Sequence, residues 1–505
     1  MLIDQTAHGR RASGASRVVS FPVFLGCLLV CLATATVRSR FDDPDMWWHL
    51  KTGQVIWTSH SIPTTDTFSY TTHHHAYVPH EWLSQLLIYG AYKFGGYSGM
   101  MLWLCCLTSA LLIIGYIFCS LYTRNPKIGL LGALTIWGFS TVGLAIRPHM
   151  IGYLLLTIEL LLIHLGRTRD RRWFFALPPL FAVWVNCHGS FVLGLLVAAA
   201  YLFSSFSSFR AGSLVASKWD AGVRKTFFWM LALSCLALFC NPVGIKQVLY
   251  PLNLFFHQPI NLAQVDEWQP LQVTDARGIA LIGVLACIAL VLIVRHSELM
   301  WDELLLLAMG TWLAVSHRRM VFVFGILVAP VLSRLLSDFW DGFSLEKDLP
   351  VLNTILIAAS LLIAAWTFPS RAAIAKEIDQ GSPVKAVEFI KTNHLPGRML
   401  NEYVYGGYLI WAAPENPVFV DGRTDIFEWT GVLAELASWE KLESNPNELL
   451  DKYQIDFCLL AHHSPMVTVM SLLKNWQMVY QDDQSVIFSR TIPSTSPPSS
   501  DPSEN

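Results

Sequence analysis

Apolar and polar positions divide the chain into two parts, which meet after residue 368. Before this point, long apolar stretches recur and are separated by short polar segments. A helix needs about 20 apolar residues to cross a bilayer, and fewer where it is short or packed inside a protein. The pattern therefore predicts a polytopic α-helical membrane protein with about eleven membrane-spanning helices. The predicted spans are residues 20–38, 99–121, 128–146, 150–166, 173–186, 190–206, 226–240, 279–294, 303–316, 320–336 and 351–368.

Residues 369–490 show shorter helix and strand patterns that alternate along the chain. This alternation is typical of a small α/β domain, here with a mainly parallel sheet. We therefore predict a transmembrane domain over residues 1–368 and a soluble C-terminal α/β domain over residues 369–490. The Ser- and Pro-rich tail, residues 491–505, is predicted to be disordered. The predicted strands are residues 397–402, 417–421, 455–460, 477–480 and 485–489.

The composition supports this division and excludes several classes of protein. Of the 505 residues, 53% are hydrophobic and 14% are charged, whereas a soluble protein carries about 25% charged residues. A soluble enzyme with one apolar anchor is excluded, and so is an outer-membrane barrel, whose apolar residues would alternate every second position. The net charge of −2 gives no sign of a nucleic-acid partner.

Positively charged residues predict the orientation of the chain in the membrane. With a cytoplasmic N-terminus, the inner loops of the membrane domain carry more Lys and Arg residues than its outer loops, which are longer in total. An odd number of spans then places the C-terminal domain outside. The alternative for the first apolar stretch is a cleavable signal peptide, since Arg10 and Arg11 precede it and the small residues 33–35 lie near its end.

The first outer loop, residues 39–98, holds the most informative motif. Asp43 and Asp45 follow the first span on either side of Pro44, which biases the preceding residue toward an extended conformation. Carboxylates placed in this way can bind a divalent cation, Mg²⁺ or Mn²⁺, or one of them can act as a general base toward a hydroxyl. The structural alternative is that they cap the helix that follows.

Two interfacial helices are predicted in the same loop. The first covers residues 46–57, whose tryptophans suit a membrane interface. The second covers residues 80–95 and ends near a pair of glycines. The candidate site residues of these helices are Trp48, His49, His80 and Glu81.

Three arginines are candidates for binding a phosphate group. Arg147 lies in a short connection between two spans, and Arg318 and Arg319 precede another span. Guanidinium groups bind phosphate with bidentate geometry. Arg318 and Arg319 also lie on the predicted outer side, against the usual distribution of positive charge. The alternatives are contact with lipid headgroups and simple termination of a span.

The predicted outer segment of residues 241–278 contains several prolines and few strand signals. Long loops without regular structure are usually functional or disordered. We therefore predict an ordered, irregular lid over the outer surface. Asp266 and Glu267 within it are candidate additional carboxylates for the site.

These motifs resemble those of the GT-C glycosyltransferases, polytopic enzymes that take a sugar from a polyprenyl-linked donor on the non-cytoplasmic side. Residues 43–50 are similar to the acid-x-Asp-x-Trp segment of oligosaccharyltransferase catalytic subunits. Residues 80–87, followed by the glycines near residue 95, resemble the His-Pro-Pro-Leu segment of protein O-mannosyltransferases and lipid A aminoarabinose transferases. The resemblance implies an inverting glycosyltransferase with Asp43 and Asp45 as catalytic residues. It also implies a bacterial-type inner membrane as the location.

The chain departs from the oligosaccharyltransferase pattern at two places. Only residues 147–149 connect the third and fourth spans, where those enzymes carry further acidic metal ligands, and residues 401–408 lack the tryptophans and the aspartate of their acceptor motif. The resemblance therefore implies transfer to an envelope lipid, glycan or protein without specifying which. The alternatives are a non-catalytic scaffold or transport component of an envelope polysaccharide pathway, and a flippase, which would need polar residues near the membrane midplane.

Two segments of the C-terminal domain are predicted to lie at one sheet edge, because each follows a predicted strand. They are residues 403–408, which include Tyr405 and Tyr408, and residues 421–423. Ligands bind at such edges in α/β domains. The two tyrosines are therefore candidates for contacting a glycan acceptor. The alternative is that they pack against the membrane domain.

Overall fold

The computed structural model describes residues 18–38, 40–141, 143–264 and 266–491, and the statements below refer to these ranges. The two basic residues on which the signal-peptide alternative rests, Arg10 and Arg11, lie outside them. So does the predicted disordered tail, apart from Thr491.

Each of the predicted membrane spans coincides with a helix. The helices are Phe21–Val37, Trp82–Thr123, Pro126–Ser140, His149–Thr168, Leu177–Cys187, Phe191–Ser204, Ala221–Ala237, Ala276–Arg295, Trp301–Ser316, Val321–Leu336 and Pro350–Thr367. Within the described ranges, five helical segments are long and apolar enough to cross a membrane. They are Trp82–Thr123, His149–Thr168, Ala276–Arg295, Arg318–Phe339 and Pro350–Thr367. The total of eleven spans stays a prediction.

The first outer loop contains the two helices that its sequence predicts. One is the helix Asp45–Ser59, and the other is the first part of the helix Trp82–Thr123. The latter bends at Gly96, whose φ of 58° and ψ of −150° are not helical. Because glycine adopts a positive φ at little cost, the helix divides here into the part that is predicted to be interfacial and the part that forms the predicted second span.

The helix Val321–Leu336 lies at the centre of the bundle. Nearly all of its residues are buried, and it packs against Pro126–Ser140 and Trp301–Ser316. A helix that is apolar on all sides is typical of the core of a bundle or of a membrane span. The other helices of the bundle therefore pack around this helix. Arg318 and Arg319 precede it, at the end that is predicted to face outward.

The predicted lid segment is largely helical, which corrects the prediction of an irregular loop. It forms the helices Ile245–His257 and Pro259–Gln264 and a short 3₁₀ turn, Asp266–Trp268. Proline is tolerated at the first position of a helix, where Pro259 stands, because the missing N–H would have no partner there. Gln247 is buried and donates a hydrogen bond to the carbonyl of Val185, so tertiary contacts hold the longer helix.

The C-terminal segment contains a four-stranded sheet that is mixed rather than mainly parallel. Three short strands earlier in the chain, β1 (Phe209–Ala211), β2 (Leu214–Ala216) and β3 (Leu299–Met300), form a separate sheet. The C-terminal strands are β4 (Arg398–Asn401), β5 (Ile455–Ala461), β6 (Trp476–Gln481) and β7 (Ser485–Arg490). The order in the C-terminal sheet is β4-β5-β7-β6. Only the β4–β5 pair is parallel, and the other two pairs are antiparallel. The helices of this segment are Arg371–Gly381, Val384–Thr392, Gly406–Ala412, Thr424–Trp429, Val432–Glu440, Pro446–Lys452 and Pro465–Leu472.

The predicted strand of residues 417–421 is wrong, and its hydrogen bonds show why. The N–H of Phe419 donates to the side chain of Asn401, and the N–H of Val418 donates to the carbonyl of Phe68 in the first outer loop. The extended segment is thus satisfied by a side chain and by a distant loop, not by a neighbouring strand. Residues 417–421 nevertheless lie beside the end of β4, because Asn401 is the last residue of this strand. The sequence predicts this placement.

The C-terminal segment packs closely on the helix Asp45–Ser59. A Cβ atom at Gly407 would lie 2.3 Å from the carbonyl oxygen of Pro44, so only glycine permits this approach. The rings of Trp47 and Tyr408 meet edge to face with centroids 5.0 Å apart. These contacts fix the start of the helix that carries Asp45.

A buried ion-pair network joins the first outer loop to the C-terminal segment. The guanidinium of Arg423 donates to Asp66 at 2.6 Å and to both oxygens of Asp421 at 2.8 and 2.6 Å. All three side chains are almost fully buried. Asp66 also accepts a hydrogen bond from Thr72 at 2.7 Å. The network is well satisfied, which is the condition under which a buried ion pair is tolerated.

We predict that Arg423→Ala destabilises the protein by about 3–5 kcal/mol, because it leaves two buried carboxylates without a counter-ion. Lys452→Ala is the matched control, since Lys452 pairs with Glu435 at an exposed site and such pairs contribute about 0–1 kcal/mol. Thermal unfolding in detergent, followed by tryptophan fluorescence, measures both. Equal shifts of the two variants would contradict a stabilising role for the buried network.

Candidate active site

The guanidinium of Arg147 lies at the centre of a group of three carboxylates. Its Nε lies 2.6 Å from Asp43 Oδ2, its Nη2 lies 2.9 Å from Asp45 Oδ2, and its Nη1 lies 3.3 Å from Glu267 Oε1. The contact with Asp43 is a close ion pair whose N–H direction is not aligned for a hydrogen bond. We call this group the Arg147 cluster: Arg147, Asp43, Asp45 and Glu267.

Local turns aim these side chains at one another. The backbone N–H of Asp45 donates to Asp43 Oδ1 at 2.9 Å, so one oxygen of Asp43 holds the helix start and the other faces Arg147. The structural alternative for Asp43 is therefore partly correct. Arg147 is held in the short connection before the helix His149–Thr168, where the N–H of Met150 donates to its carbonyl. Both sides of the cluster are thus fixed by backbone hydrogen bonds.

Asp45 is enclosed by groups from two parts of the chain. Its Oδ1 accepts a hydrogen bond from Trp48 Nε1 at 3.2 Å. A Cβ atom at Gly422 would lie 1.8 Å from the same oxygen, so the C-terminal backbone closes directly over this carboxylate. Burial raises the pKa of Asp45 to about 6, against the opposite effect of the Arg147 guanidinium. At neutral pH this carboxyl is mainly ionised, and its pKa is close enough to neutral pH for it to accept a proton.

The three candidate phosphate-binding arginines have different surroundings. Arg147 is surrounded by carboxylates. Arg318 pairs with Asp266 at 2.8 Å and with Asp275 at 3.4 Å. Arg319 has one weaker ion pair, 3.8 Å from Glu267, and its guanidinium lies over the Trp268 ring. Of the three, Arg319 is the arginine with the most capacity left for an anion.

A second cluster surrounds the carboxyl group of Glu81. His188 Nε2 lies 3.4 Å and His80 Nε2 3.7 Å from Glu81 Oε1, and His49 Nδ1 lies 3.8 Å from Oε2. Gln85 Nε2 lies 3.3 Å from His49 Nδ1. We call Glu81, His49, His80 and His188 the Glu81 cluster.

Burial determines the protonation of the Glu81 cluster. It raises the pKa of Glu81 to about 8, against the attraction of Arg319 and Arg147. Burial also lowers the pKa of His80 to about 4 and holds the pKa values of His49 and His188 well below their usual range. A protonated carboxyl among neutral imidazoles follows, because burial disfavours the charged form of both types of group.

The Glu81 cluster is connected to the C-terminal segment. The His80 ring stacks on the Tyr250 ring with centroids 3.8 Å apart. The Tyr250 hydroxyl donates to Asp425 Oδ2 at 2.8 Å. Burial raises the pKa of Asp425 to about 6. The helix Ile245–His257 therefore joins the two sides of this region.

The structure brings most of the predicted site residues together, but not all of them. Tyr405 is buried and donates to the carbonyl of Gln484 at 2.8 Å, and Tyr408 packs on Trp47. These contacts favour the packing alternative for both tyrosines. Residues 421–423 also form buried structure rather than a ligand edge, since Asp421 and Arg423 pair with each other. The residues that meet near Asp45 or Glu81 are Asp43, Asp45, Trp48, His49, His80, Glu81, Arg147, Glu267 and Arg319.

Sequence reasoning missed three contributors. His188 lies at the end of a predicted span and contacts Glu81, a contact that its position in the sequence does not predict. Gly422 is predicted at a ligand edge and Tyr250 in the lid, but their contacts with Asp45 and His80 depend on long-range packing. The sequence carries one signal for His188, which is a polar residue between two apolar stretches, at the point where a helix ends after Cys187.

The carboxylates do not fit a divalent metal ion in this arrangement. Among the described residues, no group of three or more His, Cys, Asp or Glu side chains is arranged to hold a metal ion. The space between Asp43 and Asp45 faces the Arg147 guanidinium, which supplies the positive charge there. A Mg²⁺ or Mn²⁺ ion at these two residues, which the sequence leaves open, would have to displace this guanidinium.

Comparisons with solved structures identify the fold. The chain is similar to ArnT from Cupriavidus metallidurans bound to undecaprenyl phosphate, with a TM-score of 0.52 at 13% identity over 94% of this chain and 98% of that chain. It is also similar to the oligosaccharyltransferase of Archaeoglobus fulgidus in the apo form, with a TM-score of 0.52 at 11% identity over 87% of this chain and 69% of that chain. The chain therefore has the fold of the GT-C membrane glycosyltransferases, as the resemblance predicted. No protein-family model and no curated protein sequence matches it.

We predict that Glu81→Gln changes how stability depends on pH. The folded protein keeps the Glu81 proton up to about pH 8, whereas the unfolded chain releases it near the ordinary value of 4.5. The wild type should therefore lose stability relative to Glu81→Gln as pH rises through this interval, with the loss complete above the folded pKa. Apparent melting temperatures between about pH 5 and 9 measure this difference. Parallel curves for the two proteins would contradict a raised pKa.

Proposed function

We propose that the protein is a membrane glycosyltransferase that uses a polyprenyl-phosphate-linked sugar donor. Transfer occurs at the outer face of a bacterial-type inner membrane, with an envelope lipid, glycan or protein as acceptor. The observation that carries the proposal is the convergence of Asp45, Arg147 and Arg319 at one end of a GT-C-type helix bundle. The undecaprenyl phosphate named for ArnT supports this class of donor.

The reaction is a single displacement at the anomeric carbon of the sugar. The acceptor oxygen forms a bond to this carbon while the bond from the carbon to the phosphate oxygen breaks. Polyprenyl phosphate leaves with the bonding electrons, and the acceptor proton passes to a carboxylate of the protein. One displacement inverts the configuration, which agrees with the expectation from the resemblance.

Asp45 is the proposed general base. A base is most effective when its pKa lies near the working pH, and burial raises the pKa of Asp45 to about 6. Asp43 is the proposed positioning residue, because its other oxygen holds the helix start and its ion pair orients Arg147. The two carboxylates thus take different roles, set by their contacts.

Arg319 is the proposed contact for the leaving phosphate. Positive charge at the leaving oxygen stabilises the charge that develops in the transition state. Arg319 keeps free donor capacity, since its one ion pair is 3.8 Å long. Arg318 is engaged by Asp266 and Asp275 and is assigned a structural role.

The second candidate function is a scaffold that keeps this architecture without catalysis. The observation that favours it is the saturation of Asp43 and Asp45 by Arg147, which also suits a purely structural ion pair. The two functions differ in what removal of the Asp45 charge does. A transferase that lacks the Asp45 charge loses turnover. A scaffold shows no turnover with or without this charge and keeps binding its partners.

We predict that Asp45→Asn lowers the release of polyprenyl phosphate from polyprenyl-phosphate sugars by about 10²–10⁴-fold, the usual contribution of a general base. Asp42→Asn is the matched control, because Asp42 is an exposed neighbour outside the cluster. The purified full chain in detergent is supplied with donor and candidate acceptors, and released polyprenyl phosphate is quantified. Equal turnover of both variants would contradict the role of Asp45, and no release from any donor by the wild type would favour the scaffold.

We predict that the rate falls on the acid side of about pH 6. A general base acts in its ionised form, so protonation of Asp45 removes activity as pH drops through its pKa of about 6. The measurement is kcat/KM for donor turnover between about pH 5 and 8. A profile that stays flat across this range would contradict the assignment.

A further inference from the structure

The Arg147 cluster has the form of a cation site whose cation is a side chain. Each of the three nitrogens of the guanidinium faces a different carboxylate, at 2.6, 2.9 and 3.3 Å. Two of these carboxylates come from the start of one helix, and the third comes from a segment more than 200 residues later. Carboxylates from separate segments that converge on one point are a common arrangement around a divalent cation.

The guanidinium is suited to replace such an ion. It is planar, always charged, and presents donors in a rigid fork that matches carboxylates. Its side chain is only 15% exposed. It is therefore shielded from water, and a divalent ion would have to displace it to reach Asp43 and Asp45.

The position of Arg147 is fixed from both sides. The N–H of Arg147 donates to the carbonyl of Ala145, and the N–H of Met150 donates to the carbonyl of Arg147. Pro148 lies between these residues and restricts the backbone further. The Arg147 side chain thus extends from a constrained turn at the start of a helix. Its positive charge is attached covalently to the chain and does not exchange with solvent as a bound metal ion does.

We propose that Arg147 is the resident cation of this carboxylate site and takes the place of a divalent metal ion. The site then works without Mg²⁺ or Mn²⁺ at Asp43 and Asp45. Removal of the guanidinium frees carboxylate oxygens that bind a divalent ion. The statement about catalysis rests on the proposed glycosyltransferase function, whereas the statement about cation binding does not.

Mn²⁺ binding to the purified full chain tests the proposal directly. The free Mn²⁺ signal is followed by electron paramagnetic resonance during titration of the wild type, Arg147→Gln and the double variant Arg147→Gln/Asp45→Asn. We expect no saturable site in the wild type and one site in Arg147→Gln. The double variant should bind at least about tenfold more weakly than Arg147→Gln, a loss typical of damage to a metal site.

Arg318→Gln is the matched control. It also frees two carboxylates, those of Asp266 and Asp275, but Asp266 is 81% exposed and Asp275 is 41% exposed. We expect no saturable site in this variant. Equal binding by Arg318→Gln and Arg147→Gln would overturn the proposal, because any liberated carboxylates would then suffice.

Two further results would overturn it. One is Mn²⁺ binding by the wild type that Asp43→Asn abolishes, a test that needs no variant of Arg147. The other is the absence of binding in a folded Arg147→Gln protein. Folding of each variant is checked by its melting temperature and its elution in gel filtration.

Donor turnover in excess EDTA tests the catalytic part separately. We expect the wild type to keep its full rate after EDTA treatment and to gain less than about twofold on addition of Mg²⁺ or Mn²⁺. Loss of turnover in EDTA that Mn²⁺ restores would overturn metal independence. Absence of turnover under all conditions would contradict the proposed function, and the Mn²⁺ titrations would still decide the cation site.

Discussion

The ion pairs of Arg147 hold together one end of the helix bundle. Asp43 and Asp45 lie at the start of the helix Asp45–Ser59, and Glu267 belongs to the turn after the helix Pro259–Gln264, so one guanidinium joins segments that are far apart in sequence. Without it, three partly buried carboxylates would repel one another, since like charges interact more strongly where water is excluded. The arrangement of the candidate active site therefore depends on this one charge.

The C-terminal segment completes the site mainly through its backbone. Gly422 lies against Asp45, and Gly407 lies against the carbonyl of Pro44, so a side chain at Gly407 would push the two backbones apart and one at Gly422 would displace the Asp45 carboxylate. The buried pair of Arg423 and Asp66 fixes the same junction from the first outer loop. Functional groups need such support, because small displacements of a catalytic side chain are costly.

Two carboxyl groups of the candidate site differ in protonation at neutral pH, since Asp45 is mainly ionised and Glu81 is mainly protonated. Asp45 lies 2.9 Å from a guanidinium and has a pKa of about 6, whereas Glu81 is surrounded by neutral histidines and has a pKa of about 8. Pairs of titratable groups whose environments separate their pKa values are typical of acid–base sites. Burial raises both pKa values, and guanidinium groups oppose the rise at both carboxyls, at Asp45 through the direct ion pair with Arg147.

The sequence by itself determined the long apolar helices, because apolar stretches of bilayer length and a glycine break at Gly96 are local signals. It also predicts that Asp43, Asp45 and Glu81 lie on the same side of the membrane. Only the tertiary structure decided the mixed sheet and the loss of the strand at residues 417–421, because that segment pairs with a loop about 350 residues earlier. It also decided the roles of the arginines, since an ion pair depends on which distant carboxylate folding brings within reach.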